Sequence, residues 1–218
     1  MKAGYTHITV ILDRTGSMES VKTDTIGGFN HFLKDQKAAP GEATLTLVQF
    51  DSQDPYEVLA DFAPIAEAKE LTDATYVPRA DTPLLDAIGR GINDIGAKLA
   101  AKAEDQRPEK VLFVILTDGY ENASREFTRE KVMEMIKRQS ETFKWQFVYL
   151  GANQDAIAVG ASMGIPAQAS MSYAHNKVGT EAAFASLSAQ SCSYRCGAPD
   201  VAFTGADRKR QRDAGAHK

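Results

Sequence analysis

The chain has 218 residues, of which 43% are hydrophobic and 25% charged, and its formal net charge is -4. That length suits one substantial core rather than two, and the composition is that of an ordinary globular domain, with no excess charge to favour nucleic acid. The longest apolar run, Val111 to Leu116, is too short to span a bilayer, and the first apolar run is too short for the core of a signal peptide. The expectation is a cytoplasmic protein with neither a membrane nor a nucleic acid as partner. Two cysteines, Cys192 and Cys196, exclude a disulfide framework.

In chain order, Ile8 to Leu12 is mostly β-branched and nearly uninterrupted, which predicts a strand buried on both faces of a parallel sheet. It stops at Asp13-Arg14-Thr15-Gly16-Ser17, where an acid and two hydroxyls occupy alternate positions. Met18, Val21, Ile26, Phe29, Phe32 and Leu33 then form one helical face from about Ser17 to Gln36, with Gly27-Gly28 permitting close approach of that helix to the sheet. Ala43 to Phe50 is the second strand. Tyr56, Val58, Ala60 and Phe62 alternate with polar residues, and the turn before them is short, so the third strand is expected at an edge, antiparallel to the second. A helical turn is expected around Ile65 to Leu71.

Pro83 suits the first turn of a helix carrying Leu84, Leu85, Ile88, Ile92, Ile95 and Leu99. Glu109 to Leu116 predicts another buried strand, stopped by Thr117-Asp118-Gly119. Thr128 is the expected N-cap of a helix bearing Val132, Met135 and Ile136. Lys144 to Leu150 follows as a strand and Asn153 to Met163 as a helix. Strands alternating with helices predict an α/β fold: a doubly wound, Rossmann-like, mostly parallel sheet with one antiparallel edge strand and helices on both faces. The domain is assigned to residues 1–170. Residues 171–218 are expected to be an extension with one helix near Thr180 to Leu187 and then a flexible tail, because apolar anchors thin out. Arg195, Arg208, Lys209, Arg210, Arg212 and Lys218 make that end basic, which suits a solvated surface.

Three junctions then bring polar groups to the same edge of the sheet: Asp13, Thr15 and Ser17 after the first strand, Thr82 before the long helix, and Asp118 after a later strand. The loops at the carboxyl ends of strands are where open α/β sheets bind ligands. Two carboxylates with three hydroxyls form an oxygen-only set suited to a hard cation, Mg2+ or Mn2+, rather than zinc or copper. Taken alone, Asp13-x-Thr15-x-Ser17 also reads as a helix cap.

Together these residues resemble the metal-ion-dependent adhesion site of von Willebrand factor type A (vWA) domains. That family's pattern is Asp-x-Ser-x-Ser, a later Thr, and an Asp after a buried strand, matched by Asp13, Thr15, Ser17, Thr82 and Asp118. The phrases Thr82-Pro83-Leu84-Leu85-Asp86-Ala87-Ile88 and Thr117-Asp118-Gly119-Tyr120-Glu121-Asn122-Ala123-Ser124 are similar to stand-alone bacterial members, and the likeness covers roughly residues 5 to 165. Thr15 stands where the family usually has Ser, and Ala80-Asp81 stand where it often has Gly. The resemblance implies a non-enzymatic module whose protein partner supplies a Glu or Asp to the metal, with no catalytic residue.

Arg14 and Asp86 border this loop edge; a solvated arginine and a helix-dipole acid are the expectations. Cys192 and Cys196 are expected as free thiols, and His7, His31, His175 and His217 lack ligand spacing. Trp145 is expected in the core. The alternative functions are a Mg2+-dependent phosphohydrolase of haloacid dehalogenase type and a scaffold subunit. The former needs a second Asp two residues after the first, where this chain has Thr15.

Overall fold

A computed structural model describes residues 1–216 of the chain. His217, one of the histidines read as lacking ligand spacing, and Lys218 lie outside the described residues. The β-branched run becomes β1 (Lys2–Asp13), buried from Tyr5 to its end. β1 pairs in parallel with both β2 (Glu42–Phe50) and β4 (Pro108–Thr117). With β3 (Glu57–Pro64), β5 (Gln146–Ala152) and β6 (Ser170–Tyr173), the sheet runs β3-β2-β1-β4-β5-β6. Among the described residues only the β2–β3 pairing is antiparallel, and β3 lies at the edge. The fold class is therefore the expected one.

Strand alternation divides the core between the two faces. Ile8, Val10 and Leu12 of β1 join Leu112, Val114 and Leu116 of β4 under α1 (Lys22–Ala38), with Phe29, Phe32 and Leu33. Ile11, Phe113 and Ile115 face the other way, against Ile88, Ile92 and Ile95 of α2 (Leu84–Ala101) and Val132 and Ile136 of α3 (Arg129–Phe143). Thr128 caps α3 by accepting from the Lys131 amide at 3.3 Å. Trp145 is buried and stacks with Phe113 and Phe147, as expected. α4 (Ala156–Ser162) is shorter than read from the sequence, because Asp155 caps it by accepting from the amides of Ile157 and Ala158. No helix among the described residues is long and apolar enough to cross a membrane.

Three regions differ from the sequence reading. The helix expected from Ser17 opens as a 3-10 turn, Gly16–Val21, before α1 proper. In β3 the alternation fails: Tyr56 and Phe62 pack into one layer, Ala60 into the other, and Val58 is exposed. Two register shifts against β2 and a left-handed Phe62 (φ 46°) re-aim those side chains. The third region is the stretch expected to end in a flexible tail. Its described residues form the end of β6, α5 (Lys177–Arg195) and α6 (Gly205–Asp213).

Apolar packing with polar anchors beside it holds this third region: Ala183, Phe184, Leu187 and Tyr194 of α5, with Val201 and Phe203, are buried in the core layer that contains Phe29 and Phe32. A Cβ on Gly28 would lie 2.2 Å from Cδ2 of Phe184, so α1 approaches α5 closely. Gly28 thus serves a helix–helix contact, whereas Gly27 faces open space. Ser188 Oγ donates to Asp35 at 2.6 Å, and the Arg195 guanidinium donates to the carbonyls of Gln36, Ala39, Pro40 and Gly41. α6 begins with a capping box between Thr204 and Asp207.

Candidate functional site

β1 and β4 are adjacent and parallel, so Asp13 and Asp118 emerge side by side at the carboxyl edge. Four of the five expected residues form a continuous polar chain there. Asp13 Oδ1 accepts from the Thr15 amide at 2.7 Å, and Asp13 Oδ2 accepts from the Thr117 hydroxyl at 2.5 Å. Thr15 Oγ1 lies 3.2 Å from Ser17 Oγ, and Ser17 Oγ donates to Asp118 Oδ1 at 2.6 Å. Both carboxylates are thus oriented by their neighbours. With its proton committed to Asp118, Ser17 keeps lone pairs free for another group.

Thr82 reaches the same point from the loop before α2. Its amide donates to Asn122 Oδ1 at 2.8 Å, and its carbonyl accepts from the Asn122 amide at 3.1 Å. A Cβ on Gly119 would lie 3.3 Å from Thr82 Oγ1 and 3.7 Å from Ser17 Oγ, so the two hydroxyls border the space that Gly119 leaves open. Ala80, two residues earlier, has φ 59°, a left-handed conformation that glycine adopts more readily. It lies where the resemblance calls for Gly. Its carbonyl accepts from the Gly16 amide at 3.0 Å, binding this loop to the first. Asp81 is exposed, and its backbone is tied to Ser52.

The electrostatics favour a cation. Burial, and then the charge of Asp118, push the Asp13 carboxyl up to about 7, against the pull of its bonds from Thr117 and Thr15. Asp118 Oδ2 is buried with no hydrogen bond of standard geometry among the described residues, although His175 Nε2 lies close to it. Two carboxylates and three hydroxyls fit a small hard ion that accepts neutral oxygen ligands. Among the described residues no cluster of three or more His, Cys, Asp or Glu forms a metal-holding group, so a cation here would depend on the hydroxyls.

Several supporting residues behave otherwise than read from the sequence. Arg14 is buried rather than solvated: Nε donates to Asp51 Oδ2 at 2.6 Å and the guanidinium also bonds Glu57. Arg79 Nε donates to the same Asp51 oxygen at 2.9 Å. Burial alone would raise Asp51, but the amides of Asp54 and Gln53 and the two guanidiniums hold it below the usual carboxylate range. Asp86 does more than face a helix dipole, since its carboxylate accepts from the amides of Arg125, Glu126 and Phe127 at 2.8 to 2.9 Å. Glu121 answers by accepting from the Leu85 amide at 2.9 Å, and Ser124 Oγ accepts from the Asp86 amide at 3.1 Å.

Side chains of the β4–α3 loop therefore cap the start of α2, which locks Thr82 to Asp118. The sequence signal was the acid-rich pairing of Asp86 with Glu121-Asn122-Ala123-Ser124, both already within the motif phrases. His175 was missed, and no local spacing announces it: Nε2 lies 2.8 Å from Asp118 Oδ2.

No family model matches the chain, and no curated protein matches it. Among solved structures it is similar to a von Willebrand factor type A protein from Catenulispora acidiphila, at 14% identity and TM-score 0.55, over 86% of this chain and 42% of that one. It is similar to proximal thread matrix protein 1 of the mussel byssus, at 14% identity and TM-score 0.58, over 89% and 47%. The form of that protein with a zinc-occupied MIDAS (metal-ion-dependent adhesion site) motif matches at 14% identity and TM-score 0.55, over 87% and 46%. The pilus adhesin SpaC from Lactobacillus rhamnosus GG matches at 14% identity and TM-score 0.62, over 89% and 30%. The chain spans less than half the length of each of these. At such identity the likeness concerns architecture: the chain has the vWA fold.

Proposed function

We propose that the chain is a metal-dependent protein-binding module. Asp13, Thr15, Ser17, Thr82 and Asp118 hold one divalent cation, Mg2+ or Mn2+, and a Glu or Asp of a protein partner completes its coordination. The observation that carries this reading is the chain of oriented oxygens running from Asp13 through Thr15 and Ser17 to the buried Asp118, with Thr82 beside it. When bound, the cation supplies a Lewis-acidic point for an incoming carboxylate. The protein's part is to orient the oxygens: Thr117 and the Thr15 amide fix Asp13, and Ser17 fixes Asp118. Three of the five ligands are neutral hydroxyls, so only Asp13 and Asp118 offset the cation's charge and no third carboxylate of the chain competes with an anionic partner group.

The surrounding surface supports a protein as partner. Val77, Tyr120, Ile157 and Val178 are exposed large apolar side chains, and all four lie in segments at the carboxyl edge of the sheet. Such a rim beside a polar centre suits a protein surface carrying the acid. Binding is favoured over phosphoryl transfer because Thr15, a hydroxyl, stands where a phosphohydrolase needs a carboxylic general acid.

Calorimetry with Mg2+ and Mn2+ tests the reading. Wild type should bind one cation and Asp13→Ala none, with circular dichroism unchanged. Equal cation affinity in the two proteins would overturn it.

A further inference from the structure

Asp118 is held from two sides. Oδ1 accepts from Ser17 at 2.6 Å, while Oδ2 faces Nε2 of His175 at 2.8 Å. The Asp118 side chain is wholly buried and that of His175 is 18% exposed. Neither Oδ2 nor Nε2 has a hydrogen bond of standard geometry among the described residues, and the two atoms face each other. A buried carboxylate oxygen left unmatched costs free energy, and an imidazole N–H is a donor suited to remove that cost.

His175 sits between β6 and α5, in a loop that the C-terminal helices fasten. The Ala174 amide donates to Gln211 Oε1 at 3.1 Å, and Asn176 Nδ2 donates to the Ala214 carbonyl at 2.9 Å. Asn176 Oδ1 accepts from the Gly179 amide at 2.9 Å. A Cβ on Gly179 would lie 2.2 Å from the Ala174 carbonyl, so the loop lies tight against the first turn of α5. The backbone around His175 is thus held before any ligand arrives.

We propose that His175 is a positioning residue for Asp118, and that the segment from β6 through α6 serves the candidate cation site by holding His175 in place. This rests on the cation reading above. Groups that hydrogen-bond a ligating carboxylate set its orientation, and losing one weakens metal affinity by about 10- to 100-fold. The expected roles differ by element: the end of β1 and the loops after β1, before α2 and after β4 supply the oxygens, and the C-terminal helices supply the restraint on one of them.

The test titrates Mn2+ into full-length protein and follows the free-ion paramagnetic resonance signal, with wild type, Asp13→Ala, His175→Ala and His175→Gln. His175→Ala should weaken Mn2+ binding about 10- to 100-fold at a temperature where circular dichroism shows the metal-free variant folded. His175→Gln, whose amide can reach the same oxygen, should recover most of that loss. In 15N spectra of wild type, the His175 Nε2 resonance should shift on adding diamagnetic Mg2+. If Asp13→Ala loses Mn2+ while His175→Ala binds as wild type does, the positioning role is overturned and the cation site stands. A loss that His175→Gln does not recover also overturns the role. If wild type binds no Mn2+, both readings fall.

Discussion

His7 makes the stability of this fold depend on pH in a way that can be calculated in advance. The ring lies in β1 and is fully buried, with Nδ1 2.8 Å from Thr44 Oγ1 and Nε2 3.2 Å from Thr9 Oγ1. It stacks on Phe62, ring centroids 3.7 Å apart. Burial, and then the charges of Lys98 and Lys102, lower its pKa from the ordinary 6.5 to about 3. Above the unfolded value both states are neutral and His7 contributes nothing to the pH dependence. Below it the unfolded chain takes up a proton that the folded chain refuses, so stability falls by about 1.4 kcal/mol per pH unit until the folded value is reached. Between pH 7 and pH 5 the expected loss is about 2 kcal/mol, a large share of a typical 5–15 kcal/mol. Asp13, whose pKa is raised to about 7, pulls the other way throughout this range, so the wild-type curve alone decides nothing. The measurement is the difference between wild type and His7→Gln in urea midpoints at pH 7, 6 and 5, without divalent cations. That difference should shift by about 2 kcal/mol in favour of the variant at the acid end. A constant difference across the range would refute the assignment of a buried neutral imidazole.

The remaining predictions address the site and its supports. Gly119→Ala places a methyl 3.3 Å from Thr82 Oγ1, so it should weaken Mn2+ affinity by calorimetry about tenfold (1.4 kcal/mol) while leaving the fold intact. Gly28→Ala drives a Cβ into Phe184, and denaturant unfolding should show a loss of about 1–3 kcal/mol, partly restored by adding Phe184→Leu. Asp86→Ala leaves three backbone amides without their acceptor; hydrogen exchange at Arg125, Glu126 and Phe127 should accelerate, and Mg2+ binding should weaken because Thr82 loses its registration. Tyr120→Ala should weaken capture of a partner protein in Mg2+ without changing cation affinity, since that ring is exposed at the rim.

Much of this was legible in the chain because the relevant signals are local. The β1 run, the α2 apolar face and the Thr128 cap are each written in fewer than twenty consecutive residues, and their spacing follows from the geometry of one element. Asp13, Thr15, Ser17 and Asp118 could be picked out as candidate site residues for a related reason: parallel strands carry polar residues at their carboxyl ends to one edge, so order along the chain becomes proximity in space. What failed to show was non-local. Arg14 reads as a surface residue until Asp51, Glu57 and Arg79 are brought beside it. His175 lies far from Asp118 in sequence and reaches it only because β6 joins the sheet beyond β5. In β3 a bulge breaks the alternation, a backbone event that side-chain pattern does not encode. The end of the chain beyond Leu187 looked unanchored because its apolar anchors, Tyr194, Val201 and Phe203, are few and widely spaced, and Ser188, Arg195 and Asp207 fasten it by polar bonds that leave no apolar period.

The polar supports also explain why the loops can present oxygens without a large apolar platform beneath each one. Thr82 is joined to Asn122 in both directions, α2 is capped by Glu121 and Ser124, and the amides of residues 125–127 converge on Asp86. On the other side, Arg14 and Arg79 meet at Asp51, and Tyr76 donates to the Asp13 carbonyl at 2.6 Å. Each loop is therefore fixed to a neighbouring loop by at least two bonds of different direction, so displacing one oxygen requires breaking bonds in a second segment. A partner's carboxylate would then meet a centre whose geometry is set in advance, and little ordering entropy would be charged against binding. Under the proposed function, specificity would then fall to the rim, where Tyr120 and Val77 stand exposed.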